Sequence, residues 1–218
     1  MKQKYLFIAA AALLLMTFLA GVFSHQSRQA EQAAQLAAKN QAALVRADAP
    51  SFGNPDAPVH IVEFLDPACG TCREFYPLVK ALMDANPGKI RLSVRYAPFH
   101  PGSDTVVKAL EAARIQGQFK PTLEALFLAQ NRWVINHTAQ ADLIWPFLNP
   151  LGLDMARLKI DMNLPEIATM IARDLADAKT MNVTMTPEFF VNGKPLPSFG
   201  FDQLKNLVDE ALANATVK

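Results

Sequence analysis

The stretch that decides the fold runs from Val59 to Pro77 and reads VHIVEFLDPACGTCREFYP. Its first eight residues, Val59 to Asp66, predict a short buried strand, because they are mostly apolar and a proline follows them. The apolar residues from Cys69 to about Ala85 recur at helical spacing, and KIRLSVRYAPF, Lys89 to Phe99, predicts a second strand. A strand, a helix and a strand in this order form a βαβ unit, which places the two strands parallel.

The rest of the chain extends this unit into an α/β fold. From Ser103 to Asn182, proline and glycine residues divide the sequence into four or five predicted short helices. PEFFVNGKPLPSFG, Pro187 to Gly200, predicts a hairpin that turns at NGK, and an amphipathic helix begins at Phe201. The predicted architecture is therefore a βαβ unit, an all-helical insertion at about residues 103–182 and a ββα unit, with helices on both faces of one sheet.

The composition narrows the functional classes. The chain has 218 residues, of which 51% are hydrophobic, so it is long enough for one domain with a substantial core. The formal net charge is +1, which gives no basic surface for phosphate groups. Nucleic acid is therefore not an expected partner.

The N-terminal residues predict export and attachment to a membrane. Two lysines precede an uncharged apolar run from Tyr5 to Phe23, which is long enough to span a bilayer as a helix. We interpret residues 1–23 as a membrane anchor, the alternative being a cleaved signal; in both cases the lysines stay in the cytoplasm and the remainder is exported. Residues 24–50 are an Ala- and Gln-rich stalk and linker, either a polar spacer or a weak self-association helix. Residues 51–218 form the exported domain.

Cys69 and Cys72 are the two cysteines of the chain, and three functions compete for them. A structural zinc ion needs four ligands, but the four histidines lie in separate segments, and no methionine cluster near Cys69 indicates a copper site. A structural disulfide here would close a very small loop and gain little chain entropy. Redox exchange fits the position best, because the partial positive charge at a helix N-terminus lowers the pKa of the first thiol. Cys69 is then the exposed nucleophile and Cys72 the resolving thiol.

Residues far from the cysteines in sequence are candidates for the same site. Thr186-Pro187 begins the predicted hairpin, where a proline removes a hydrogen-bond donor. If this peptide bond is cis, the turn can lie beside the cysteines and leave the Thr186 backbone free to pair with an extended substrate; the alternative is an ordinary trans proline. His100, Trp133 and Trp145 either line a surface near the site or, as we expect, belong to the core or to a loop.

Together, VEFLDPACGTCREFYP, the later TMTPEFFVNG and the helical block between them resemble the DsbA family of thiol:disulfide oxidoreductases over roughly residues 51–214. The resemblance implies a thioredoxin fold with an inserted helical domain and a redox-active Cys69–Cys72 disulfide. It also implies a cis-proline at Pro187, and it places Glu63 as a buried acid whose raised pKa lets it relay a proton for Cys72. The alternative for Glu63 is a partly exposed strand residue. No organic cofactor or metal is implied.

The residues between the cysteines leave the direction of electron flow open. Strongly oxidising members of that family carry Pro-His there, and a histidine stabilises the thiolate. Here the positions hold Gly70 and Thr71, and we expect the following Arg73 to face solvent, so Cys69 should be less acidic than in those members.

Our first interpretation is an oxidase that forms disulfides in exported proteins of the bacterial periplasm. The second is a disulfide isomerase or reductase of the same fold. A different class, a non-enzymatic anchored chaperone or copper-binding module, is the further alternative. The resemblance suggests a DsbB-like oxidase or a DsbD-like reductant as the membrane partner that resets the dithiol.

Overall fold

The structure is a computed structural model that describes residues 2–215, except for the side chains of residues 2–12, 26, 30, 33, 34 and 42. The strands in this part of the chain are β1 (Ser51–Gly53), β2 (Val59–Leu65), β3 (Ile90–Tyr96), β4 (Val134–Ile135), β5 (Thr138–Ala139), β6 (Glu188–Val191) and β7 (Lys194–Pro195). The helices are α1 (Lys2–Leu44), α2 (Gly70–Ala85), α3 (Ser103–Ile115), α4 (Phe119–Leu128), α5 (Gln130–Trp133), α6 (Trp145–Leu148), α7 (Met155–Asp161), α8 (Pro165–Thr180) and α9 (Phe201–Ala215).

The central sheet has five strands in the order β1-β3-β2-β6-β7. Strands β2 and β3 are parallel, with Val59 opposite Ile90, so the βαβ prediction is confirmed. Strand β6 pairs antiparallel with β2, and the β6–β7 hairpin turns at Asn192-Gly193, where both residues have positive φ. The order βαβ, insertion, ββα is therefore the observed one.

Strand β1 was not predicted, because its three residues lie in the turn-rich stretch before the first predicted strand. It pairs antiparallel with β3, with Ser51 opposite Ser93. Three residues carry no usable alternation of apolar and polar side chains. The free edge of β3 supplies the hydrogen-bond partners that make this segment a strand.

The sheet is buried on both faces, because every residue of β2 is buried. One face packs on α2 and α9, and the other packs on α8 and the last turn of α1. The first core includes Ile61, Ile90, Phe189, Phe75, Val79, Leu204 and Val208; the second includes Val62, Phe64, Phe190, Leu44 and Ala178. A strand buried on both faces places any polar side chain it carries inside the protein, which decides the environment of Glu63.

The insertion between β3 and β6 is mostly helical, but the prediction that it is all-helical was wrong. Strands β4 and β5 form a two-stranded hairpin, which turns at Asn136 and His137. Both turn residues have positive φ, 49° and 60°, which is the conformation of a two-residue hairpin turn. The strands are two residues long, so they leave almost no periodic pattern in the sequence.

Helix α1 is continuous across the predicted border between anchor and stalk at residues 23 and 24. Its last turns pack on the domain: Leu44 is fully buried, and Asn40 Nδ2 donates a hydrogen bond to the Gly193 carbonyl oxygen at 3.1 Å. The buried Arg95 donates to the carbonyl oxygens of Ala43 and Leu44, which are free at the helix end. This end of the stalk is therefore part of the folded domain and not a polar spacer.

The predicted anchor lies in the first half of α1, and the side chains of residues 2–12 lie outside the described residues. Within the part of the chain that is described, no helix has the length and apolar character needed to cross a membrane.

Candidate active site

The two cysteines lie where β2 passes into α2. Cys69 is the N-cap of α2 and has extended backbone angles, and Cys72 lies one turn into the helix. Both are free thiols, so the structure describes the dithiol form. Cys69 keeps 7% of its surface exposed, whereas Cys72 has none. A partner sulfur can therefore reach Cys69 only.

The Thr186-Pro187 turn faces Cys69 across the site. This peptide bond is cis, and Pro187 is buried directly before β6. The Cys69 Sγ donates a hydrogen bond to the Thr186 carbonyl oxygen at 3.1 Å. The fold therefore brings together residues separated by more than a hundred positions in the chain.

The environment of Cys69 favours its thiolate. The hydrogen bond from the Cys72 thiol is the main cause that lowers the pKa of Cys69 from 9.0 to about 5. A hydrogen bond from the Thr186 side chain and others from the backbone N–H groups of Cys72 and Thr71 add to it, against the effect of burial. This pKa lies between about 7 for thioredoxin and about 3.5 for DsbA. Burial, together with the hydrogen bond to Cys69, raises the pKa of Cys72 well above 9.0. One thiol is ionised at neutral pH and the other keeps its proton.

Glu63 lies in the middle of β2 and has 1% of its surface exposed. Burial raises its pKa from 4.5 to about 8, and the charge of Cys69 raises it further. Its Oε1 atom is buried without a hydrogen-bond partner among residues 2–215. The charge of Glu63 also contributes to the raised pKa of Cys72. The carboxyl group is therefore buried, as the resemblance implies, and holds a proton near neutral pH.

A buried carboxylate at the end of β2, Asp66, holds the loop that leads to the cysteines. Its Oδ1 accepts hydrogen bonds from the Ala68 N–H at 2.9 Å and from the Ser103 hydroxyl. Its Oδ2 accepts from the His100 N–H at 2.8 Å and from His100 Nδ1 at 2.7 Å. Sequence reasoning considered His100 but missed Asp66 and Ser103. An aspartate directly after a buried strand was the available indication.

The insertion contributes a second support to the same loop. Gln130 Nε2 donates to the carbonyl oxygens of Pro67 and Cys69, both at 2.9 Å. Trp133 is fully buried and donates to the Leu126 carbonyl oxygen, so it belongs to the core, as expected. Trp145 is half-buried against the core of the insertion, with Lys159 Nζ 5.3 Å from its ring centroid.

The two residues between the cysteines face outward. Gly70 is exposed, and in the described part of the chain nothing lies within 4 Å of a methyl group added to it. Thr71 is half-buried. The side chain of Arg73 is 40% exposed and lies 3.9 Å from Glu74, so it points toward solvent, as predicted. The described residues also contain no group of three or more His, Cys, Asp or Glu side chains that could hold a metal ion.

An accessible thiolate at the first turn of a helix, a buried thiol beneath it and a cis-proline opposite are the parts of a thioredoxin-type dithiol site. A protein-family model described as thioredoxin matches residues 45–210, and the chain belongs to this family. The fold expected from the sequence is confirmed.

The curated relatives differ in how much of their length this chain matches. The Na⁺/H⁺ antiporter NhaA of Herminiimonas arsenicoxydans is 32% identical over 144 residues, which are 66% of this chain but 22% of that protein. The chain thus spans only about a fifth to a quarter of the antiporters that it matches. A probable disulfide bond formation protein D of Bacillus anthracis is 29% identical over 169 residues, which cover 74% of this chain and 77% of that protein.

Solved structures agree on the fold. A thioredoxin-like oxidoreductase from Silicibacter pomeroyi DSS-3 is 34% identical, with a TM-score of 0.67, and covers 77% of this chain and 94% of its own. The alpha-DsbA1 of Wolbachia pipientis is 20% identical, with a TM-score of 0.69 and coverage of 82% and 98%. The second likeness shows that the thioredoxin-like sheet and the helical insertion occur together in a DsbA-type structure.

Proposed function

We propose that the protein is a thiol:disulfide oxidoreductase that acts on cysteines of exported proteins through a reversible Cys69–Cys72 disulfide. The observation that carries this proposal is the contrast between the two thiols. Cys69 is accessible, with a pKa of about 5, whereas Cys72 is buried, with a pKa well above 9.0. The thiolate is the species that attacks or leaves a disulfide.

In the oxidase direction, a thiolate of the substrate attacks Cys69 Sγ of the disulfide form. The new bond joins the substrate sulfur to Cys69, the Cys69–Cys72 bond breaks, and the Cys72 sulfur leaves and takes up a proton. The second thiolate of the substrate then attacks the other substrate sulfur, which is bonded to Cys69 in the mixed disulfide. A bond forms between the two substrate sulfurs, and Cys69 leaves as a thiolate. Two electrons pass from the substrate to the protein, and the low pKa of Cys69 makes it a good leaving group.

We assign the proton exchange at Cys72 to Glu63. Cys72 has no exposed surface, so solvent cannot supply its proton directly. With a pKa of about 8, Glu63 holds a proton at neutral pH and loses it readily. In this assignment Thr186 and Pro187 present the backbone that pairs with the extended substrate, because the Thr186 carbonyl oxygen lies 3.1 Å from Cys69 Sγ.

The second candidate is an isomerase or reductase of the same fold. Gly70 and Thr71 favour it, because neither residue carries a charge that stabilises the thiolate. We keep the oxidase as the first candidate, because the pKa of Cys69 is low without such a charge. A DsbB-like quinone-linked oxidase is then the membrane partner that restores the disulfide, and a DsbD-like reductant is the partner of the second candidate.

We further propose that the domain faces the periplasm and that residues 5–23 anchor it in the inner membrane, with a cleaved signal as the alternative. Large apolar side chains between Leu13 and Phe23 are exposed in the structure, several of them by more than half. The mass of the protein extracted from membranes distinguishes the two, since a cleaved signal removes these residues.

The exchange experiment uses the full chain and a reduced peptide with two cysteines. Cys69→Ser should abolish oxidation of the peptide. Cys72→Ser is instead mixed with the peptide in its disulfide form: the Cys69 thiolate attacks that disulfide, one peptide sulfur leaves as a thiolate, and a mixed disulfide between the peptide and Cys69 should accumulate because the protein has no second thiol to release it. A reduction potential well above that of thioredoxin, about −270 mV, supports the oxidase. A lower potential with reduction of the peptide supports the second candidate. Absence of both exchange and trapping would leave the non-enzymatic chaperone or copper-binding module.

A matched variant tests the role of the two intervening residues. Gly70→Pro with Thr71→His should raise the potential, because the histidine stabilises the thiolate of Cys69. Position 70 is the first residue of α2, where proline fits, and the extended backbone of Cys69 is the conformation that a following proline requires. An unchanged potential in the folded variant would refute this role.

A further inference from the structure

Asp66 occupies an unusual position, because one fully buried carboxylate receives four hydrogen bonds from three residues. Two come from Ala68 and Ser103 to Oδ1, and two come from the backbone and the ring of His100 to Oδ2. The backbone carbonyl oxygen of Asp66 accepts a fifth, from the Cys69 N–H at 3.0 Å. The residue therefore binds the dithiol loop through both its side chain and its backbone.

The pattern of donors requires a carboxylate. All four partners of the side chain donate a hydrogen, and a carboxylate accepts at both oxygens. An asparagine in the same place would accept at one atom only and would turn its own N–H hydrogens toward two other donors. An unpaired or opposed buried donor costs about 1–3 kcal/mol. The arrangement is therefore specific for aspartate, although asparagine has almost the same shape.

The same carboxylate joins the dithiol loop to the insertion. Ser103 is the first residue of α3, and the negative charge of Asp66 lies at this N-terminus, where the helix dipole favours it. Gln130, the first residue of α5, donates hydrogen bonds to the carbonyl oxygens of Pro67 and Cys69. The loop before Cys69 is thus attached to the insertion at two independent points.

We propose that Asp66 is a positioning residue for the dithiol: through Ala68, His100 and Ser103 it fixes the loop that places Cys69 Sγ at the first N–H groups of α2. This role rests on the proposed thiol–disulfide exchange. It means that the insertion helps to set the reactivity of Cys69. The Asp66 carboxylate acts on Cys69 through the loop that it holds, and the Asp66 backbone also hydrogen-bonds the buried Cys72 thiol.

The test measures the pKa of Cys69 by the ultraviolet absorbance of its thiolate in the reduced full chain. Asp66→Asn should raise this pKa by about one unit or more, a tenfold loss of thiolate at pH values below it. Removal of a neighbouring negative charge would by itself lower the pKa of a thiol. The sign of the shift therefore separates positioning from direct electrostatics.

His100→Ala and Ser103→Ala each remove donors but keep the carboxylate, so they answer the question if Asp66→Asn does not fold. Each should raise the pKa of Cys69 in the same direction by a smaller amount. His137→Ala is the matched control, because His137 stacks on His100 at 6.4 Å between ring centroids and is not among the donors to Asp66. A pKa of Cys69 that stays the same in folded His100→Ala and Ser103→Ala would overturn the inference.

The titration needs no substrate, so the inference and the proposed function can fail separately. If the pKa moves as expected but no peptide is oxidised or reduced, Asp66 positions the thiol and the exchange activity is wrong. If peptides are exchanged and the pKa does not move, the function stands and the role of Asp66 is refuted.

Discussion

The thiolate of Cys69 should give the reduction potential of the dithiol two regimes of pH dependence. The pKa of Cys69 falls from 9.0 to about 5, mainly through the hydrogen bond from Cys72. An acid whose pKa is lowered by folding stabilises the folded state while it is ionised. This contribution is therefore complete above pH 9.0 and is lost as the pH falls through about 5.

The magnitude at neutral pH follows from the two pKa values. A change from 9.0 to about 5 favours the reduced, folded protein by about 2.7 kcal/mol at pH 7. This is an upper value, because solvent that reaches the sulfur screens its interactions. For a two-electron couple, it raises the reduction potential by up to about 60 mV relative to a thiol with an ordinary pKa.

The assay is equilibration with glutathione buffers from about pH 4 to about pH 8, followed by acid quenching, alkylation and mass measurement. Each proton taken up on reduction contributes about 30 mV per pH unit in a two-electron couple. The potential should therefore fall by about 59 mV per unit below about pH 5, where two protons are taken up, and by about 30 mV per unit above it. The Glu63→Gln background removes the other group that titrates nearby.

A slope of about 59 mV per unit that continues through pH 7 would mean that Cys69 is protonated there, and it would refute the reasoning. The Cys72→Ala variant provides an independent check, since it removes the donor that contributes most to the low pKa of Cys69. Its Cys69 thiolate should titrate at a higher pH than that of the intact protein.

Three further predictions concern stability and the packing of α1. Glu63→Gln should stabilise the reduced protein by about 3 kcal/mol at pH 7 and hardly at all at pH 4. Folding raises the pKa of this carboxyl group from 4.5 to about 8, so its cost to the stability of the folded protein grows only above pH 4.5. Urea unfolding at both pH values measures the difference. Arg95→Met should lower the free energy of unfolding in urea by about 3–5 kcal/mol, because it removes the arginine that lies 2.7 Å from the buried Asp174. As a control, Lys205→Met removes an exposed ion pair and should lower it by less than about 1 kcal/mol. Gly193→Ala should release α1 from β7, because Gly193 has a φ of +82° and an added methyl group would overlap a carbonyl oxygen of α1. Faster proteolysis within residues 24–44 measures the release. An unchanged digestion pattern would contradict the packing.

The sequence predicted those parts of the site that depend on local pattern and chemistry. The apolar run that forms β2 and the two cysteines after it place a dithiol at a helix start in any βαβ arrangement. The burial of Glu63 was implied by the resemblance to a known family, with a partly exposed strand residue as the alternative, and the structure buries it. The residues alone left Pro187 either as a cis-proline beside the cysteines or as an ordinary trans proline, and the resemblance to a known family implied the cis form, which the structure has.

Other parts depend on contacts that no local pattern records. In the sequence, Asp66 is only the last residue of the first predicted strand, and its role depends on the fold, which brings His100 and Ser103 to its two oxygens. The end of α1 reads as a polar spacer, and its packing depends on Arg95 from β3 and on the turn at Gly193. In both cases small or polar side chains are buried because distant segments supply their hydrogen bonds.

Because α1 is one continuous helix, it would act as a rigid spacer between the proposed membrane anchor and the folded domain. From Phe23 to Ala37, which is buried, an α-helix extends roughly 21 Å. If residues 5–23 lie in a bilayer as proposed, the helix holds Cys69 at a fixed distance from the membrane surface. Cys69 can then move around the helix axis, but not in all directions as it would on a flexible linker. Encounters with a membrane partner then depend on rotation of the protein in the plane of the bilayer. Inserting a Gly-Ser segment after Phe23 would replace the rigid connection with a flexible linker.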